Sequence, residues 1–147
     1  MRLDLYQAEC EQVARLQAAL LEQARTGLLR PDEPGLSPLE QAGMLHALQV
    51  SIENAIGKAK HWLKALGQEV PVSAYDSFAA LSLAGVIDAA ALAQWNAAVG
   101  LRNRIVHDYM NVDLALIQDL VHKQQYQFIL EFLRRPIEVE PQPKPPK

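Results

Sequence analysis

Apolar side chains recur at steps of three and four along most of this chain, and strand-like alternation persists nowhere, so the pattern predicts helices throughout. Leu3, Tyr6, Cys10, Val13, Leu16, Leu20 and Ala24 form one stripe of a first helix running from about Leu3 to Leu29, with Gly27 near its end. RPDEPGLSP, residues 30–38, breaks it with three prolines and a glycine. A second helix opens on a strong start signal: Ser37 at the cap, Pro38 at the first helical position and Glu40 where a capping box wants it. Leu45, Leu48, Ile52, Ala55, Ala59, Leu63 and Leu66 carry it to Gly67. At about 30 residues it would span about 45 Å, a rod that suits a bundle or a helix-mediated dimer.

Shorter segments follow. Ser73 caps a third, with Asp76 as its third residue and Tyr75, Phe78, Ala79 and Leu83 on its apolar face until Gly85. Asp88 caps a fourth that carries Leu92, Trp95, Ala98 and Val99 inward. Asp113 caps a fifth, with Leu114, Ile117, Val121, Phe128 and Phe132 facing in along one continuous segment until Pro136. The remainder, PIEVEPQPKPPK, is proline-rich with almost nothing to bury. The expected class is all-α: an antiparallel bundle of four main helices with an additional short one. It forms one domain over residues 1–135, followed by an inert, disordered tail over 136–147.

Composition narrows the chemistry. With 147 residues and 50% hydrophobic content the chain can bury a proper core. A formal net charge of −3 argues against a bulk electrostatic grip on nucleic acid, so any phosphate contact must come from a local cluster of cations. The single cysteine, Cys10, excludes an internal disulfide and reads as a small buried hydrophobe. MRLDLYQAEC carries acidic residues where a signal peptide would not, and no run approaches a membrane span. The expected setting is the cytoplasm.

Against this plain background LRNRIVHDYM, residues 101–110, concentrates polar chemistry. At about 100° per residue, Arg102 and Tyr109 share one helical face, and Asn103 and His107 share another about 100–140° away. Arg104 projects to the far side and carries less weight. A guanidinium binds phosphate bidentately and stays charged at any working pH. An imidazole exchanges a proton near neutrality. RNA brings its own nucleophile, the 2′-hydroxyl. A base to deprotonate it and a cation to steady the pentacoordinate phosphate suit metal-free cleavage to a 2′,3′-cyclic phosphate and a 5′-hydroxyl.

RNRIVHDY resembles the Arg-x4-His-x-Tyr signature of the HepT toxins, within the HEPN (DUF86-like) ribonucleases: Arg102 matches the arginine, Asn103 the polar residue after it, His107 the histidine and Tyr109 the tyrosine. The likeness extends to YDSFAALSLAGVIDAAALAQWNAAVGLRNRIVHDY and to the long Ser37–Leu66 helix, covering roughly residues 5–135. The resemblance implies a helical bundle that dimerises with two motifs facing each other in a cleft. It implies a cofactor-free, metal-independent ribonuclease of a toxin–antitoxin pair, with Arg102 and His107 catalytic and Asn103 in support. The implied partner is MntA, a minimal nucleotidyltransferase that silences the toxin by attaching AMP to Tyr109. Some relatives act only as substrate-binding or regulatory partners of such an enzyme, and that is the alternative reading.

Other polar residues read more simply. His46, His61 and His122 are scattered surface histidines rather than metal ligands. Glu53 and Asn54 are either an exposed flank or supports that orient Arg102 or His107. Asp108 either pairs with Arg104 or tunes His107. Trp62 and Trp95 are packing or interface residues.

Overall fold

Four helices start where the sequence supplies a side-chain oxygen for an otherwise orphaned amide. Ser37 Oγ accepts from Glu40 N at 3.1 Å while Glu40 Oε1 accepts from Ser37 N at 2.9 Å, closing the expected capping box. Arg30 holds the same carboxylate at 2.5 and 2.6 Å; together these bonds pull Glu40 down to about 2. Ser73 Oγ accepts from Asp76 N at 3.0 Å, Asp88 Oδ1 from Ala91 N at 2.8 Å and Asp113 Oδ1 from Leu116 N at 3.1 Å.

The computed structural model describes residues 2–31 and 35–139. Its order is α1 (Leu3–Leu28), α2 (Pro38–Ala65), α3 (Ala74–Leu83), α4 (Ala89–His107), a single-turn 3₁₀ helix (Tyr109–Asn111), α5 (Leu114–His122) and α6 (Gln127–Arg134). The all-α bundle expected from the periodicity is what the chain forms. Among the described residues no helix is long and apolar enough to cross a membrane.

The long α2 is the axis. It packs against α1, α3, α4 and α6, and its buried residues, from Met44 to Leu63, lie on more than one face. Aromatic rings tie the layers together. Trp95 of α4 stacks on Phe78 of α3 at 4.4 Å and meets Phe128 and Phe132 of α6 edge-on at 5.0 Å, while Phe132 reaches Trp62 of α2 at 5.9 Å. Such pairs each contribute about 0.5–1.5 kcal/mol beyond their burial. Trp62 and Trp95 are therefore core residues, as is Cys10.

Three expectations need correction. The stripe on α1 is turned by one residue: Ala14, Gln17, Leu21 and Ala24 are buried, whereas Leu16 is 59% exposed. Small residues and a glycine let α1 approach closely, since a methyl at Gly27 would stand 2.7 Å from Leu36 Cδ2. On α3 the inward residues are Ser77, Phe78 and Leu81, leaving Tyr75 and Leu83 outside. The fifth segment is two helices. Gln124 adopts φ +56, its amide and that of Gln125 close back on Val121 O and Leu120 O, and Arg25 Nε takes His122 O at 3.2 Å.

The start of the expected tail is also tied down. Trp62 Nε1 donates to Glu138 O at 3.2 Å, the Arg135 guanidinium lies 4.8 Å from the Trp62 ring, and Ile137 packs on the core. Residues 140–147 of that tail lie outside the described residues. Lys58 anchors this end of the bundle. Its side chain is fully buried, and Nζ donates to the carbonyls of Phe132 at 2.7 Å, Leu133 at 3.0 Å and Arg135.

Candidate functional site

Asp88 starts α4, and Trp95, Ala98, Val99, Leu101 and Ile105 fix it against the core. The polar motif therefore sits on the last two turns of a well-anchored helix, the kind of rigid support a site needs. The helix stops at His107 for a local reason. Asp108 leaves the helical region at φ −143, and its carboxylate takes Asn111 Nδ2 at 2.7 Å while its carbonyl takes Asn111 N at 3.0 Å. Asp108 thus serves the turn; among the described residues it pairs with neither Arg104 nor His107.

That stop revises the position of Tyr109. It does not continue the face of Arg102, because it lies on the 3₁₀ turn beyond the break. Tyr109 is 49% exposed. Asn103 and His107 do lie four apart on α4, as expected, with Asn103 half-buried and His107 exposed. Arg102 points the other way. Five helical residues leave it about 140° from His107, on the core-facing side, and its Nε is buried with no hydrogen-bond partner. One chain places Arg102 and His107 on the same two turns without turning them toward each other.

The electrostatics favour an anion. Neither Arg102 nor Arg104 makes a hydrogen bond or ion pair through its guanidinium among the described residues. The nearby carboxylates are engaged: Asp108 with Asn111, Asp113 with the α5 cap and Asp119 with Lys123 at 2.9 Å. The expected flank residue Glu53 is exposed and accepts from Gln49 Nε2 at 3.0 Å, so within one chain it supports neither Arg102 nor His107. Asn54 returns its amide to Val50 O at 2.8 Å. Among the described residues no group of three or more His, Cys, Asp or Glu side chains could hold a metal ion.

Two features escaped the sequence reading. Arg104 helps line a cavity of about 420 Å³ walled by Leu48, Ile52, Ala98, Leu101, Ile117 and Phe128. Apolar side chains also surround the helix end in the open: Val106, Met110 at 90% exposure, and Leu116. Helical periodicity could have flagged the outward Val106, but nothing local reveals the cavity, which needs α2, α4, α5 and α6 together. His61, by contrast, stacks on Tyr6 at 4.0 Å and has Nδ1 2.9 Å from Gly57 O, a packing role.

No curated protein matches the sequence. Several solved structures share its fold, including these two. One is a rebuilt and re-refined structure of a tri-AMPylated Shewanella oneidensis HEPN toxin in complex with MNT antitoxin: 21% identical, covering 88% of this chain and 96% of that one, with a TM-score of 0.73. The other, a toxin–antitoxin with AMP-PNP, is 21% identical, covers 82% of this chain and 97% of that one, and gives a TM-score of 0.63. At that identity the likeness is one of fold. The family comparison goes further: the sequence model of the HepT-like ribonucleases matches residues 11–135, and the chain belongs to that family.

Proposed function

We propose that this chain is the ribonuclease toxin of a HEPN/MNT toxin–antitoxin pair, cleaving RNA without a metal. The observation that carries the reading is the pair of uncommitted guanidiniums, Arg102 and Arg104, flanking Asn103 and ending in the exposed imidazole of His107. His107 takes the proton of the RNA 2′-hydroxyl as that oxygen attacks phosphorus. The bond from phosphorus to the 5′-oxygen breaks, the departing oxygen takes up a proton from water, and the hydroxide left is neutralised by the proton His107 holds. Arg102 balances the charge that builds on the phosphate oxygens, with Asn103 as a neutral donor beside it.

Within one chain Arg102 and His107 diverge, which supports a homodimer in which one copy's imidazole faces the other's guanidinium. The exposed Val106, Met110 and Leu116 around the helix end supply apolar surface for such a contact. Control through Tyr109 suits its position: an exposed phenol just past His107 is open to a nucleotidyltransferase, and each added phosphate puts negative charge beside the motif. The solved relative whose toxin carries AMP supports this part of the reading.

The test is cleavage of RNA by the purified protein in EDTA, wild type beside His107→Ala. Wild-type cleavage that the variant loses, with helix content unchanged, is expected. No cleavage by the wild type would leave the second reading, a non-catalytic partner of a nucleotidyltransferase.

A further inference from the structure

Gly100 sits inside α4, one turn before Arg104, where glycine is a poor helix former. Its φ is not positive, so the backbone conformation does not demand glycine. What glycine supplies is space. A methyl there would lie 3.4 Å from Tyr75 Oη and 3.9 Å from Arg104 Nη1. Two donors from different helices thus converge on one notch, at most about 7 Å apart given those two distances. A tetrahedral phosphate can bridge such a span with two hydrogen bonds of ordinary length.

Neither donor is spoken for. Tyr75 is 42% exposed on α3, and among the described residues neither its hydroxyl nor the Arg104 guanidinium has a hydrogen-bond or ion-pair partner. The notch also faces the right way. Seven residues separate Gly100 from His107, and with Arg104 they fall within an arc of about 60° on α4. It therefore lies on the His107 side, about 10 Å along the helix.

We infer that Tyr75, Gly100 and Arg104 form a second phosphate subsite, which takes the RNA backbone phosphate flanking the one attacked at His107. The inference rests on the ribonuclease reading for its ligand. Arg104 supplies charge and a planar fork, Tyr75 a neutral donor, and Gly100 the room for the phosphate oxygens to approach α4. The subsite binds and positions the strand; it does not move protons.

The experiment is fluorescence anisotropy with a fully 2′-O-methylated oligoribonucleotide, which binds but cannot react, alongside steady-state cleavage of unmodified RNA. Gly100→Ala, Tyr75→Phe and Arg104→Gln should each weaken binding about 5–10-fold, the scale of one ordinary net hydrogen bond. Each should raise KM similarly and leave kcat within about twofold. Arg104→Lys should recover part of the loss. Gly100→Ala should melt at or above the wild-type temperature, because alanine is the better helix former. A purely structural role for Gly100 or Tyr75 would not give that split. Wild-type binding by both Gly100→Ala and Tyr75→Phe overturns the subsite, as does a fall confined to kcat. If the wild type cleaves no RNA while the variants still bind more weakly, the ribonuclease reading fails and the phosphate subsite stands.

Discussion

Replacing Lys58 by methionine keeps the length and apolar stem of the side chain but removes a charge and three donors. The three carbonyls it serves do not suffer equally. Leu133 O keeps Gln7 Nε2 at 3.1 Å, and Arg135 O lies at the edge, where water can reach it. Phe132 O is buried, and without Lys58 it keeps the Arg135 amide at the longer distance of 3.3 Å. Leaving a buried carbonyl under-satisfied costs up to about 1–3 kcal/mol, and each lost hydrogen bond to the ammonium about 1.5–3 kcal/mol. Removing the buried charge recovers part of this, because its desolvation cost disappears. A net loss of about 2–3 kcal/mol is expected, a large share of the roughly 5–15 kcal/mol that holds a domain folded. Thermal melts followed by circular dichroism should show Tm lower by about 5–12 °C.

The pH dependence carries a second, sign-specific expectation. Burial pushes the Lys58 ammonium down to about 8, with Arg135 adding to the effect, whereas an unfolded lysine titrates near about 10.4. Between those values the unfolded chain holds a proton that the native chain has released, so wild-type stability gains from this group as pH rises. The stability gap between wild type and Lys58→Met should therefore widen from about pH 8 to about 10.4. A variant at least as stable as the wild type at pH 7, or a gap that narrows over that window, refutes the reasoning.

The motif itself offers further checks. His107→Ala should lower cleavage by about 10²–10⁴-fold with the melt unchanged, since it removes a proton-transfer group from an exposed position. Arg102→Lys should also be impaired, because a point charge does not replace a planar fork; wild-type activity in that variant would remove the bidentate role. Light scattering should give the mass of a dimer at micromolar concentration, and Met110→Glu, placing a charge in the exposed apolar surface, should shift it toward monomer. Co-expression with the cognate nucleotidyltransferase should raise the mass by one or more AMP units. Tyr109→Phe should stay unmodified, so an adduct of equal size on both proteins would exclude this tyrosine as acceptor.

What the sequence disclosed was the local chemistry. The caps at Ser37, Ser73, Asp88 and Asp113 each depend on an oxygen meeting an amide three residues on, and that spacing is visible in one dimension. The motif stood out because charged and aromatic residues crowd a helix otherwise rich in alanine. What stayed hidden depends on distant partners. Gln124 takes a left-handed turn where no glycine announces it, in a segment also held by Arg25 from α1. Lys58 follows the same periodicity as its apolar neighbours, yet its role requires the end of α6 more than 70 positions away. Tyr75 counted as an inward aromatic until Gly100 gave it somewhere else to point. The break after His107 was foreshadowed by Asp108, Asn111 and Asp113, all turn formers, but the 3–4 count alone ran Tyr109 on as helix.

Matched substrates test the proposed chemistry most directly: two oligonucleotides of one sequence, one all RNA and one with a single 2′-deoxyribose at the mapped cut site, incubated with the wild type in EDTA. Cleavage of the first alone is expected, giving a 2′,3′-cyclic phosphate and a 5′-hydroxyl by mass spectrometry. Cleavage of the deoxy-substituted strand at the same bond, or products bearing a 5′-phosphate, would contradict an internal nucleophile activated by His107.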